Sequence, residues 1–121
     1  MRETILLLAS EPIVRLVFQE TLENGGYCVF GAGDLGAGVD RLKECKPDLL
    51  IIRPYVEDIS GYDAATFLRT KCHGLRVLMV AGLIDHDRLQ NRMALGGFEV
   101  FPKPFTAAEL LEKVKDVLSH Q

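Results

Sequence analysis

The run Leu49-Leu50-Ile51-Ile52 constrains the fold more than any other stretch, because four apolar residues in unbroken succession end abruptly in Arg53-Pro54. A strand apolar on alternate residues has one wet face, whereas one apolar throughout is buried on both faces, the habit of a parallel sheet covered by helices on either side. Thr4 to Ala9, TILLLA, has the same character. The carboxyl ends of such strands are where open α/β sheets bind their ligands. Arg53 is therefore either a site residue or the replacement for one.

Around these strands the punctuation alternates between helix and strand. Ser10-Glu11-Pro12 offers an N-cap hydroxyl, an acid for the positive helix end and a proline in the first turn. Ile13, Val14, Val17, Phe18, Thr21 and Leu22 then recur at helical spacing until Asn24-Gly25-Gly26 stops them. Tyr27 to Phe30 is expected as a strand, and Gly31 to Gly38 as a glycine-rich turn into a helix through about Cys45, with Val39 and Leu42 inward. Pro54 to Tyr62 reads as a loop, Asp63 to Lys71 as a helix, and Arg76 to Ala81 as the fourth strand. Asp85 to Leu95 follows as a polar helix and Phe98 to Phe101 as the fifth strand. Thr106, with Glu109 three residues on, has capping-box spacing for a last helix whose apolar face is Leu110, Leu111, Val114, Val117 and Leu118.

Five strands alternating with five helices describe an α/β fold, an open parallel sheet covered on both faces. A chain of 121 residues is expected to be a single domain, 1–121, able to bury about two-thirds of its accessible surface without staples. Its net charge of -3 provides no basic footprint for direct nucleic-acid binding. Three widely spaced cysteines, Cys28, Cys45 and Cys72, suit a reduced cytoplasmic setting better than a disulfide framework, and no apolar run reaches membrane-spanning length. No membrane association and no cofactor are expected.

The ILLL strand ending in Ser-Glu-Pro, the PDLLII strand, the loop closing in Ser60-Gly61, the VLMVA strand and the Lys103-Pro104-Phe105 triplet together resemble the receiver domain of two-component response regulators, over nearly the whole chain. The resemblance implies a flavodoxin-like sheet of order 2-1-3-4-5 with its site at the carboxyl ends of the strands. It also implies an acidic magnesium-binding pair after strand one, a phosphoacceptor aspartate ending strand three, a hydroxyl ending strand four and a lysine after strand five. Carried onto this chain, the acidic pair falls on Ala9 and Ser10, the acceptor on Arg53, the hydroxyl on Ala81 and the lysine on Lys103. The aromatic switch position of the fifth strand falls on Val100.

Only the lysine is retained. Alanine offers a metal no side-chain oxygen, and a guanidinium stays protonated, accepts nothing and attacks nothing. The expectation is a degenerate, non-enzymatic receiver, a pseudo-receiver that binds a signalling protein without being phosphorylated. Two cations, Arg53 and Lys103, call for an acid in the crevice, with Glu11 the first candidate and Glu57 and Asp58 behind it. Arg53 is expected to pair with one of them and fill the crevice.

Competing signals are also present. Gly31-Ala32-Gly33-Asp34-Leu35-Gly36 spells GxGxxG, so a nucleotide or small molecule could be bound at that turn or in the crevice near Arg53; the plainer reading is a glycine-rich turn at the sheet edge. Glu57, Asp58 and Ser60 are the alternative phosphoacceptors of an unorthodox receiver, against a reading as solvated loop. Cys72-His73 lacks a second ligand pair, and His86 and His120 stand alone. The expected interaction surface for a partner or homodimer is the fourth helix, fifth strand and fifth helix, exposing Arg88, Gln90, Arg92, Glu99, Lys113 and Lys115.

Overall fold

In the computed structural model, which describes residues 2–56, 59–81, 99–102 and 105–119, the apolar runs form the centre of a parallel sheet. The elements in chain order are β1 (Thr4–Leu8), α1 (Pro12–Asn24), β2 (Cys28–Ala32), α2 (Leu35–Arg41), β3 (Leu49–Ile52), β4 (Tyr55–Val56), β5 (Ile59–Ser60), α3 (Gly61–Lys71), β6 (Arg76–Ala81), β7 (Glu99–Pro102) and α4 (Ala107–Ser119). The main sheet has five strands in the order β2-β1-β3-β6-β7, every neighbouring pair parallel. This is the 2-1-3-4-5 order of a flavodoxin-like α/β fold.

Successive side chains of a strand point to opposite faces, so an unbroken apolar run supplies two cores at once. Leu6, Leu8, Leu50, Ile52, Val77 and Met79 join Ala64, Ala65 and Leu68 of α3 in one core. Ile5, Leu7, Leu49, Ile51, Leu78 and Val80 face the other way, against Leu22 of α1 and Leu110, Val114 and Val117 of α4. All four residues of β3 are at most 1% exposed, as are the last four of β1. Burying each such side chain stabilises the fold by about 1.5–3 kcal/mol before chain entropy is counted.

Three expectations are corrected. Pro54 to Tyr62 is not a plain loop: β4 and β5 pair antiparallel, Tyr55 with Ser60 and Val56 with Ile59. Helix α3 starts at Gly61, two residues earlier than expected, because Ser60 already caps it by accepting from the Asp63 amide at 3.1 Å. Helix α1 has Glu11, not Ser10, at its N-cap, with Pro12 in the first turn and no side-chain cap. Four helices occur among the described residues rather than five; the remaining expected helix, Asp85 to Leu95, lies outside them.

The last helix begins as its sequence indicates. The Thr106 amide donates to Glu109 Oε1 at 2.8 Å and the Glu109 amide donates to Thr106 Oγ1 at 3.1 Å, a reciprocal capping box. No helix among the described residues is long and apolar enough to cross a membrane.

Candidate functional site

The register of the sheet places the ends of three strands side by side. Leu8 pairs with Ile52 and Ile52 with Met79, so Ala9 and Arg53, the residues that follow β1 and β3, emerge next to each other at the carboxyl edge. Pro54 then turns the chain out of the sheet, and its carbonyl accepts from the Gly61 amide at 2.5 Å, closing the ribbon back onto the strand end. Gly61 lies directly beneath this turn. A side chain there would collide with the Arg53 carbonyl and come within 2.8 Å of the Met79 methyl, so the close approach requires glycine.

Arg53 Nη1 donates to Glu11 Oε1 at 3.2 Å, across 42 residues of chain. This is the pairing expected from a fixed cation at a strand end. The Arg53 side chain is 27% exposed and that of Glu11 66%, so solvent screens the contact and it contributes at most ~1 kcal/mol. Its value is positional: it ties the first residue before α1 to the end of the central strand. The crevice is not filled, however, since Ser10, Glu11, Arg53, Pro54 and Tyr55 still line a hollow of about 240 Å³.

A second guanidinium reaches the end of β1 from the β2 side, unanticipated from the sequence. Arg15 Nη1 donates to the Ala9 carbonyl at 2.7 Å. Ala9 is itself buried, and its amide donates to the Ala32 carbonyl at 3.0 Å. The signal that could have revealed Arg15 is its place one turn beyond Glu11, as the only basic residue of α1. Hard divalent cations take oxygen ligands, preferably carboxylates. Here one position supplies a methyl group, its carbonyl is occupied by Arg15, and the neighbouring strand ends in a cation. The donor set does not fit magnesium. Among the described residues no cluster of three or more His, Cys, Asp or Glu could hold a metal ion.

Of the other expected pocket residues, Ala81 ends β6 in register with Pro102, Ser10 is partly buried, and Lys103, Glu57 and Asp58 lie outside the described residues. Val100 pairs with Met79 and packs against the core shared with α3. The Ser60 hydroxyl is engaged as the α3 cap.

The GxGxxG turn follows the edge strand β2, and its geometry is that of a helix start. Asp34 accepts from the Ala37 amide at 2.7 Å, placing a carboxylate on the helix end where a pyrophosphate would sit. Beside it a hollow of about 450 Å³ is lined by Arg15, Gln19, Gly31, Gly33 and Arg41 among others. Arg15 already packs against Gly33, and Arg41 donates to the Gly31 carbonyl at 3.0 Å and pairs with Glu44 at 2.8 Å.

The cysteines are free. Cys72 is buried with its thiol 3.8 Å from the Pro47 carbonyl, and burial pushes both it and Cys45 above the ordinary thiol range. His73 is exposed, while His86 and His120 lie outside the described residues. On the expected interaction surface, Glu99 and Lys113 pair at 2.8 Å rather than standing as separate solvated charges, Lys115 is exposed, and Arg88, Gln90 and Arg92 lie outside the described residues.

Residues 5–115 match the family model of the response regulator receiver domain. Among curated proteins the chain is 27% identical over 118 residues to the probable transcriptional regulatory protein TcrX of Mycobacterium tuberculosis, covering 95% of this chain and 49% of that one. It is 25% identical to sporulation initiation phosphotransferase F of Bacillus subtilis, covering 98% and 95% respectively. The chain thus spans about half the length of the first of these relatives and nearly all of the second. Among solved structures, a receiver domain protein from Clostridium thermocellum superposes with a TM-score of 0.84 at 24% identity, covering 97% of this chain and 94% of that one. The chemotaxis protein CheY4 of Vibrio cholerae superposes with 0.85 at 20% identity, covering 97% and 99%.

Proposed function

The chain belongs to the response regulator receiver domain family, a receiver of two-component signalling, and we propose that it acts there as a phosphorylation-independent protein-interaction module. The single observation that carries this reading is Arg53 at the end of β3, held to Glu11 at 3.2 Å, at the position onto which the family's phosphoacceptor aspartate falls. Aspartyl phosphorylation needs a carboxylate nucleophile and a metal to screen the phosphoryl oxygens. A guanidinium supplies neither, and Ala9 offers a metal no side-chain oxygen.

Without that chemistry the domain catalyses no reaction of its own and is a degenerate pseudo-receiver. The Arg53–Glu11 pair links the strand end to the start of α1 through a contact that needs no phosphoryl group. The module works in the cytoplasm through contacts with a signalling protein, without a cofactor.

Incubation with acetyl phosphate and magnesium followed by intact-mass measurement tests the reading. The expected result is an unshifted mass, with no phosphoryl adduct. An adduct stable to the measurement sinks it and favours an unorthodox receiver phosphorylated at Glu57, Asp58 or Ser60.

A further inference from the structure

The end of β2 is built around two glycines and two arginines. Val29 faces the core beneath α1, so Gly31 and Gly33, at alternate positions beyond it, face α1 as well. Neither position has room for a side chain while Arg15 lies there. A Cβ on Gly31 would stand 3.3 Å from Arg15 Cδ and 3.2 Å from Gln19 Oε1, and one on Gly33 would stand 3.0 Å from Arg15 Nη1. Arg15 thus runs along bare backbone, while Arg41 reaches the same strand from α2 and donates to the Gly31 carbonyl at 3.0 Å. The hollow of about 450 Å³ that these residues line is of small-ligand size.

This hollow is rich in donors and short of acids. β2 is the end strand of the sheet, and the Cys28 amide and Ala32 carbonyl bond toward β1, to the Glu3 carbonyl and the Ala9 amide. The amides of Gly31 and Gly33 therefore turn outward, to the open edge. Arg15 makes one hydrogen bond among the described residues, to the neutral Ala9 carbonyl, and pairs with no acid among them. Arg41 is balanced by Glu44, and Asp34, the nearest acid in sequence to Gly33, is turned to the Ala37 amide. A guanidinium carries five N–H donors, so most of those on both arginines are unspent. Sheet edges with outward amides form anion-binding concavities, and arginine forks match the geometry of phosphate oxygens.

We propose that the hollow at the open edge of β2 binds a small phosphomonoester, its phosphate held by Arg15 and Arg41 with the Gly31 and Gly33 amides and the Gln19 side-chain amide. The site is separate from the start of α2, where the Asp34 carboxylate already sits, and from the crevice at Arg53. It does not depend on the interaction-module reading. A phosphate held here exchanges freely and adds no covalent mass, so the acetyl phosphate experiment and the one below can fail separately.

The test titrates inorganic phosphate and phenyl phosphate into the isotopically labelled full chain, following backbone amides and arginine Nε–H signals, with malonate and with sodium chloride at matched ionic strength as comparisons. Both phosphates are expected to give saturable shifts at Gly31, Gly33, Arg15 and Arg41, half-complete at millimolar concentration or below. Arg15→Gln and Arg41→Gln are each expected to weaken binding about tenfold or more, the loss of charge-assisted hydrogen bonds. Gln19→Leu, which breaks no bond to the backbone, is expected to weaken it several-fold and supplies the reading if an arginine variant unfolds. Shifts that do not saturate, that chloride reproduces, or that centre on Glu11, Arg53 and Tyr55 would each overturn the proposal. So would malonate binding as tightly as phosphate, or unchanged affinity in every variant that folds.

Discussion

Helices α1 and α4 are the same length, 13 residues each, and lie on the same side of the sheet, yet they use their apolar residues differently. Helix α4 buries Leu110, Val114 and Val117 and starts from a reciprocal capping box. Helix α1 buries only Leu22, has no side-chain cap, and leaves three large apolar side chains mostly in water. Phe18 of α1 meets Phe105, just before α4, at 6.0 Å, and Phe105 stacks on Phe101 of β7 at 4.8 Å. One helix is committed to the fold. The other is anchored by its inner edge and leaves its outer face in solvent.

Six substitutions, measured by unfolding in urea, would sharpen or break that contrast. The largest losses are expected from truncating the shared anchors: Leu110→Ala on α4 and Leu22→Ala on α1 should each cost about 2–5 kcal/mol, because both sites are closed and leave a cavity. A negligible cost at Leu22 would mean that α1 is not anchored by its inner edge. Next comes the cap, where Thr106→Ala removes the bond from the Glu109 amide and should cost ~1 kcal/mol. The smallest effects belong to the outward stripe. Ile13→Ala, Leu16→Ala and Val17→Ala should each change stability by no more than ~0.5 kcal/mol, since little surface is buried there to lose. A loss above 2 kcal/mol at any of them would place that side chain in the core and erase the contrast with α4.

The contrast also marks what a sequence can disclose. The doubly buried strands were readable because unbroken apolar runs have one economical place in a globule, and the sheet order followed once the receiver resemblance was in hand. Thr106 and Glu109 were readable because a capping box is a local device three residues wide. Glu11 was readable as the partner of Arg53 because a fixed cation at a strand end requires an acid, and Glu11 follows the neighbouring strand of the sheet. The orientation of α1 was not. Ile13, Val14, Leu16, Val17 and Phe18 are all apolar, so periodicity marks a helix without choosing between its faces, and Ile13 and Val17 turned out exposed. The β4–β5 ribbon escaped notice because strands of two residues are too short to display alternation. Arg15 escaped because its partner is a backbone carbonyl, which every residue carries and no sequence pattern advertises.

Gly61 has a consequence of a different order from Arg53. The residue at the end of β3 determines what the crevice can do, and a single replacement there rewrites the chemistry while leaving the surrounding chain undisturbed. The residue beneath it determines whether the crevice has its outline at all, because what stands in the way of any larger side chain is the Arg53 carbonyl, a group present whichever amino acid occupies position 53. The function of this corner is therefore free to drift, and its shape is not.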